Sequence, residues 1–201
     1  MRTERKKGHG CLGFGITLMI AVIAIFAILF FTTDIFHGLK TQVYGLFYPQ
    51  KYTAEVEQSS KEFGVDDTLI YAVIKTESGF REEVESYAGA VGLMQLMPET
   101  FEWLQDKLED EVIYPAESLK NPAVNIRYGT YFLSYLLERY GDVSTACAAY
   151  NAGTTTVDEW LSDSRYSKDG KTLSDIPYQE TNDYVRKVQE AQEMYRKLYG
   201  G

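Results

Sequence analysis

The sequence predicts an all-α fold that is preceded by one transmembrane helix. Apolar residues recur at helical spacing through most of the chain after residue 50, and Gly, Pro, Asn and Asp stand where helices would begin and end. No segment alternates apolar and polar residues convincingly, as a half-buried strand would. An uncharged apolar run near the N-terminus adds the membrane helix. The length of 201 residues therefore corresponds to one domain and a further segment.

The apolar run, residues 8–33, has 26 consecutive positions without Asp, Glu, Lys or Arg. A helix of about 20 such residues spans the hydrocarbon layer of a bilayer. Four basic residues and one acidic residue precede the run, and this positive-inside bias places the N-terminus in the cytoplasm. A cleaved signal peptide is the alternative, but its apolar region would be shorter and end in a small-residue cleavage site. We expect a cytoplasmic tail at 1–10, a transmembrane anchor at 11–33, a juxtamembrane linker at 34–50 and an extracytoplasmic domain at 51–201.

The first helices of that domain follow from their boundary residues. Apolar spacing predicts a helix over 52–63 that stops at Gly64. Asp66 or Asp67 then caps a second helix, from Thr68 to about Ser78, and a glycine follows it. Three glycines predict a loop over 79–93: Gly79, Gly89 and Gly92.

The remaining helices are predicted in the same way. Pro98 suits the first turn of a helix that runs to Leu108, and Asn121 caps a long helix that ends at Gly141. Five apolar residues of the long helix can share one face: Tyr128, Tyr131, Phe132, Tyr135 and Leu136. Further helices are expected at 143–150, 155–161 and 179–199, with a polar loop at 162–176.

Composition excludes several classes of function. The 20 Lys and Arg against 29 Asp and Glu give a net charge of −9, which argues against nucleic-acid binding. Two cysteines and two histidines cannot supply a disulfide framework or a Cys- and His-rich metal site, so no metal or cofactor is expected. Beyond the apolar run the one histidine is His37, close to the membrane, which makes nucleophilic triads improbable. Cys147 is expected to pack as a small buried side chain.

Carboxylate chemistry remains, and Glu77 is the strongest candidate. It follows Ile70, Val73 and Ile74 by seven, four and three residues, so on a helix it continues their apolar stripe. Partial desolvation and the negative end of the helix dipole both disfavour the ionised form and raise the pKa. A general acid that works near neutral pH requires such a shift. Helix position alone leaves open a surface glutamate that pairs with a neighbouring basic residue.

The sequence around Glu77 resembles the signature of the soluble lytic transglycosylases, lysozyme-like enzymes that cut bacterial peptidoglycan. The resemblance covers about residues 55–198, with its blocks in family order. The blocks are YAVIKTESGF at 71–80, SYAGAVGLMQLMP at 86–98, NP and NI at 121–122 and 125–126, AYNAG at 149–153, and IP with ET and YV at 176–185.

The resemblance implies one catalytic residue, Glu77, which acts as both acid and base. It also implies seven substrate-binding residues: Ser86, Gln95 and Met97 along a groove for N-acetylated sugars, Tyr150 and Asn151 beside the acid and the reacting sugar, and Glu180 and Tyr184 on the C-terminal side. Structural alternatives exist for several of them: loop hydrogen bonding for Ser86 and Gln95, core packing for Met97, and a helix N-terminal charge for Glu180.

Two departures from the family pattern stand out. Arg81-Glu82 replaces the Asn-Pro that often follows the catalytic motif, and Glu82, Glu83 and Glu85 are expected to form a solvated edge. Asn121 stands where the family frequently has Asp, a change that keeps the capping function.

The function that the resemblance implies is cleavage of the β-1,4 bond between N-acetylmuramic acid and N-acetylglucosamine, with formation of a 1,6-anhydro ring. The expected partners are glycan strands, the membrane through the N-terminal helix, and cell-wall or secretion machinery. Three alternatives stay open. They are a lysozyme-type hydrolase, a non-catalytic wall-binding or assembly module, and a membrane-anchored helical domain that binds another partner.

Overall fold

The structure, a computed structural model, describes residues 19–20, 22–26, 28–29 and 43–200. The chain divides into two compact units, Met1–Phe47 and Tyr48–Gly201. In the first unit the described residues are helical, and none of the described helices is long and apolar enough to cross a bilayer. The predicted tail at 1–10, most of the predicted anchor at 11–33 and residues 34–42 of the predicted linker lie outside the described residues.

The second unit is all-α, which confirms this part of the predicted fold class. Its β structure, within the described residues, consists of two isolated bridges, Glu85 with Val91 and Val91 with Leu96. The helices are α1 (Thr53–Phe63), α2 (Asp67–Glu77), α3 (Pro98–Leu108), α4 (Pro122–Tyr140), α5 (Val143–Ala152), α6 (Thr154–Ser162) and α7 (Gln179–Tyr199), with a 3₁₀ helix at Ala116–Lys120 between α3 and α4.

The helix boundaries lie where the capping residues predict them. The Asp66 carboxylate accepts a hydrogen bond from the Thr68 N–H at 2.9 Å, and the Asn121 side chain accepts one from the Ala123 N–H at 2.9 Å. Gly64 ends α1 with φ 68° and Gly141 ends α4 with φ 66°. The structure extends α5 and α6 by one or two residues beyond prediction, and the 3₁₀ helix was missed because five residues carry too little periodicity.

Helix α2 lies in the core, which explains its sequence. All seven residues from Thr68 to Ile74 are buried, so the helix is apolar on every side until its last turn. It packs against α7, where the rings of Tyr71 and Tyr195 stack at 5.2 Å. Arg196 of α7 also forms an ion pair with Asp66 at 2.6 Å. These contacts fix the direction of α2 and therefore the position of its last residue, Glu77.

The residues just before α1 also pack against α7. The Tyr199 hydroxyl donates to the carbonyl oxygen of Tyr48 at 2.8 Å, and the Tyr195 hydroxyl donates to that of Pro49 at 3.1 Å. Tyr48 and Pro49 therefore belong to the helical unit, although the sequence places them in the linker.

The apolar residues of α4 divide between two environments. Of the five expected on one face, Tyr128 and Leu136 are buried, whereas Tyr131, Phe132 and Tyr135 are half-buried. Phe132 and Tyr135 line an open cavity of about 330 Å³. The five residues therefore share a face that is only partly buried, because helix spacing does not show which part of a wide face has a packing partner.

Candidate active site

Glu77 is the last residue of α2 and lies half-buried at the edge of the core. Burial raises the pKa of its carboxyl from the ordinary 4.5 to about 7, although the Tyr184 hydroxyl acts in the opposite direction. The predicted rise in pKa is confirmed. A pairing with a basic side chain would have lowered the pKa, so the alternative of a surface ion pair does not describe this carboxyl.

Two helices bring three polar side chains to the Glu77 carboxyl. Cys147 and Tyr150 come from α5 and Tyr184 comes from α7. Burial is the main cause that raises the pKa of each, and the charge of Glu77 contributes to all three, after that of Asp142 in the case of Cys147. The pKa of the Cys147 thiol rises to about 12, and those of the two tyrosines rise well above 10.0. Cys147 is fully buried, as predicted. All three side chains therefore remain neutral, and none of them offers a positive charge to the Glu77 carboxylate.

The Tyr184 hydroxyl lies close enough to Glu77 to change its pKa but does not form a hydrogen bond of normal geometry with it. Within the described residues it is the one buried side-chain polar atom without a hydrogen-bond partner. Such a group is costly in a protein interior and usually has a functional reason. The hydroxyl is available to donate to the Glu77 carboxylate or to a bound ligand.

Tyr150 connects the site to the loop before α3. Its hydroxyl donates to the main-chain carbonyl oxygen of Met94 at 2.8 Å, and its ring packs against Phe132 at 5.1 Å between centroids. The hydroxyl of Tyr150 therefore holds the loop against α5, while its ring is fixed by α4.

Gln95 and Ser86 stabilise the loop over residues 84–96. The Gln95 amide donates to the carbonyl oxygens of Val84 and Gly92 at 3.0 and 2.8 Å, and Gln95 itself has φ 50°. The Ser86 hydroxyl accepts from the Ala90 N–H at 3.0 Å. The structural alternative of loop hydrogen bonding is confirmed for both residues. A further role in sugar binding stays a prediction.

Asn125 of α4 is the residue that sequence reasoning missed, since it entered only as part of a motif block. It is fully buried and accepts from the Met94 N–H at 2.7 Å. Its amide donates to the carbonyl oxygens of Val91 and Leu119 at 2.9 and 2.8 Å. Gly92 has φ +83°, and a Cβ there would lie 2.3 Å from the Asn125 Nδ2 atom. The loop thus fits over Asn125 only with glycine at position 92.

The other predicted residues lie farther out. Met97 is half-buried and lines a cavity of about 350 Å³ with Glu85, Gly89 and Lys120 among others. Asn151 and Glu180 are exposed, near the end of α5 and in the first turn of α7. The structure therefore brings Glu77, Tyr150 and Tyr184 together, whereas Ser86, Gln95 and Met97 share one loop.

The acidic edge lies on the same loop. Glu82, Glu83 and Glu85 are exposed, as predicted, and Glu82 accepts a hydrogen bond from the Tyr52 hydroxyl at 2.5 Å. The described residues contain no cluster of three or more His, Cys, Asp or Glu side chains that could hold a metal ion.

An all-α domain with a glutamate of raised pKa at the end of a core helix corresponds to the lysozyme-like class. The model of the transglycosylase SLT domain family matches residues 55–173, and the chain belongs to that family.

Curated relatives and solved structures agree with this assignment. The chain is 30% identical over 155 residues to the soluble lytic murein transglycosylase of Salmonella typhimurium, which covers 76% of this chain and 24% of the relative. It is 32% identical over 169 residues to the membrane-bound lytic murein transglycosylase C of Mannheimia succiniciproducens, covering 74% of this chain and 47% of the relative. The chain therefore spans between a quarter and half of these relatives.

Two solved structures have the same fold. The 70 kDa soluble lytic transglycosylase of Escherichia coli superimposes with a TM-score of 0.68 at 28% identity, over 76% of this chain and 25% of that chain. An inactive mutant of the lytic transglycosylase Slt from Pseudomonas aeruginosa superimposes with a TM-score of 0.66 at 32% identity, over 75% and 24%.

Proposed function

We propose that this protein is a peptidoglycan lytic transglycosylase, which cleaves the β-1,4 bond between N-acetylmuramic acid and N-acetylglucosamine. One observation carries the proposal: Glu77, in a domain of this family, has a pKa of about 7 and faces neutral hydroxyl and thiol groups. A carboxyl with this pKa is protonated in a large fraction of the molecules at neutral pH and can donate its proton. A two-carboxylate glycosidase would need a second acid across the bond.

A single carboxyl can perform both steps. Protonated Glu77 donates its proton to the glycosidic oxygen, and the acetamide oxygen of the muramic acid attacks the anomeric carbon as the bond to N-acetylglucosamine breaks. The Glu77 carboxylate then removes the proton of the C6 hydroxyl of the same sugar. The C6 oxygen displaces the acetamide and closes the 1,6-anhydro ring, so no water is consumed and Glu77 is protonated again.

The surrounding residues have supporting roles in this proposal. Tyr184, whose hydroxyl is unpaired in the structure, donates to the Glu77 carboxylate that forms in the first step. Tyr150 and Asn151 orient the acid and the reacting sugar. Ser86, Gln95, Met97 and Glu180 line the groove for the glycan strand, with Ser86 and Gln95 also shaping its loop.

We further propose that residues 11–33 anchor the protein in the cell membrane, with residues 1–10 in the cytoplasm and the helical unit outside it. The uncharged run of 26 positions supports the anchor. The described residues of this segment also expose large apolar side chains, such as Phe26 at 68% and Ile28 at 61%. In this arrangement the enzyme acts on the wall next to the membrane and can join cell-wall or secretion machinery.

The test of the function is product mass. The full chain in detergent is incubated with purified peptidoglycan, and the released muropeptides are weighed by mass spectrometry, with Glu77→Gln as the control. We expect products that carry 1,6-anhydromuramic acid from the parent and none from the control. Products one water heavier, with reducing ends, would assign a hydrolase, and binding without release would assign a wall-binding module.

A further inference from the structure

A second cavity beside the proposed active site has no role in the mechanism. It has a volume of about 330 Å³ and lies between α3, α4 and the start of α6. Its lining combines three aromatic residues with small and polar ones: Trp103, Phe132 and Tyr135 with Glu99, Thr100, Gly153 and Thr154. An apolar pocket with a few polar groups is typical of a ligand site, and this volume lies at the lower end of the usual range.

Trp103 is the main apolar surface of the cavity. Its ring packs edge-on against Tyr135 at 5.1 Å and against Phe132 at 6.4 Å, which fixes its orientation. It nevertheless remains 36% exposed, and its other neighbour, the Lys107 amino group, lies 5.8 Å from the ring centre. A rigid, partly exposed indole held by two other rings offers a flat apolar surface at little entropic cost.

The cavity is adjacent to residues of the proposed active site on two sides. Phe132 lines the cavity and also packs against Tyr150. The charge of Glu77 in turn raises the pKa of the Tyr150 hydroxyl. Glu99 lines this cavity and also the cavity that contains Met97, a predicted groove residue. Glu99 thus separates two neighbouring cavities, one beside Met97 and the other beside Trp103.

We propose that this cavity is an additional subsite that binds one sugar ring of the glycan strand, away from the bond that is cut. This inference rests on the proposed function. A pyranose presents a face of C–H groups that suits Trp103, and its hydroxyl and acetamide groups can reach Glu99, Thr100 and Thr154. Glu99 also disfavours a peptide stem, because stems carry carboxylates of the same charge. The subsite makes the enzyme favour long strands over short ones.

The first test is the dependence of activity on strand length. The full chain and the Trp103→Ala and Trp103→Phe variants are compared on long peptidoglycan strands and on short oligosaccharides. For Trp103→Ala the ratio of kcat/KM for long over short strands should fall roughly tenfold, as expected for the loss of one aromatic contact. Trp103→Phe should keep part of the ratio, which separates loss of contact from loss of folding. An unchanged ratio in the alanine variant would overturn the subsite.

The second test reads the subsite without catalysis. The protein has two tryptophans, and the other, Trp160, is buried against Tyr178. In a Glu77→Gln, Trp160→Phe protein the tryptophan emission, excited at a wavelength that tyrosine does not absorb, therefore comes from Trp103 alone. Peptide-free N-acetylglucosamine oligomers should shift this emission, and free stem peptide should not. A shift with the peptide alone, or no shift with the oligomers, would overturn the sugar assignment.

The two tests separate this inference from the proposed function. Release of anhydro products with an unchanged length ratio would overturn the subsite and leave the activity standing. Absence of anhydro products with a shift of Trp103 emission would overturn the activity and support a glycan-binding surface.

Discussion

At the scale of single residues, the chemistry depends on how α2 ends. Glu77 has a pKa of about 7 because it comes one turn after a fully buried segment and lies among neutral side chains. The same burial that prepares an acid for proton donation also costs stability, since a desolvated carboxylate is unfavourable. A residue that serves catalysis at the expense of the fold can be recognised by what its replacement does to stability.

Replacement of Glu77 by Gln should stabilise the protein at alkaline pH. In the unfolded chain the carboxyl ionises near 4.5 and in the folded protein near 7, so the penalty develops between these values and is constant above them. The full difference corresponds to about 3 kcal/mol. Urea denaturation at about pH 8 should show a gain of up to that size, and at about pH 4 almost none. Equal stability at the higher pH would contradict the raised pKa.

Removal of the Tyr184 hydroxyl should shift the pH dependence of activity. Protonated Glu77 is the active form, so kcat/KM of the parent should fall as the pH rises through about 7. Tyr184 lowers the pKa of Glu77, and in Tyr184→Phe the fall should therefore begin at higher pH. The hydroxyl has no hydrogen bond of normal geometry, so the free energy of unfolding should change little at about pH 5, where Glu77 is protonated in both proteins. A shift toward lower pH would contradict this assignment.

At the scale of secondary structure elements, α4 holds the loop that lies over the site. Its first residue is set by the Asn121 cap, a local feature, whereas Asn125 four residues later bonds to two distant main-chain groups, of Val91 and Met94, and to the nearby carbonyl of Leu119. Met94 connects the two halves of the site, since its N–H bonds to Asn125 and its carbonyl accepts from Tyr150. The cap could be recognised in the sequence. The main partners of Asn125 could not, because Met94 and Val91 precede it by 31 and 34 residues.

Two substitutions on α4 should separate the cap from the loop contacts. Asn121→Ala removes one cap and should cost about 1 kcal/mol of unfolding free energy with little change in activity. Asn125→Leu leaves the Met94 N–H and the Leu119 carbonyl without their side-chain partner, whereas the Val91 carbonyl keeps its bond from the Leu96 N–H, and the change should cost about 3 kcal/mol. It should also lower kcat, because the carbonyl partner of Tyr150 moves. Denaturant titration gives the loss of unfolding free energy for each variant, and kcat is measured at a temperature where both are folded. Equal losses of unfolding free energy in the two variants would contradict the separation of cap and loop contacts.

At the scale of the whole molecule, charge and membrane attachment define where the protein can act. Four basic residues and one acidic residue precede the apolar run, so the part after residue 33 is more acidic than the chain's net charge of −9. An acidic surface is repelled by anionic lipids and wall polymers, and salt weakens that repulsion. Attachment to the membrane would keep such a domain near its substrate.

The proposed anchor predicts how the protein fractionates. The full chain should remain in the membrane fraction after a high-salt wash, because burial of an apolar helix is not sensitive to ionic strength, and detergent should release it. A variant without residues 11–33 should be soluble and retain the helical fold by circular dichroism. Release of the full chain by salt alone would contradict the anchor.

The sequence by itself determined the all-α class, most helix ends and the raised pKa of Glu77, because caps, glycines and apolar spacing act within a few residues. The tertiary structure decided the rest. It brought Tyr150 and Tyr184 to Glu77, engaged Gln95 and Ser86 in their own loop, gave Asn125 its partners and left Trp103 exposed beside Phe132. These features depend on contacts between helices far apart in the chain, and no local pattern specifies which side chains will meet or which will remain uncovered.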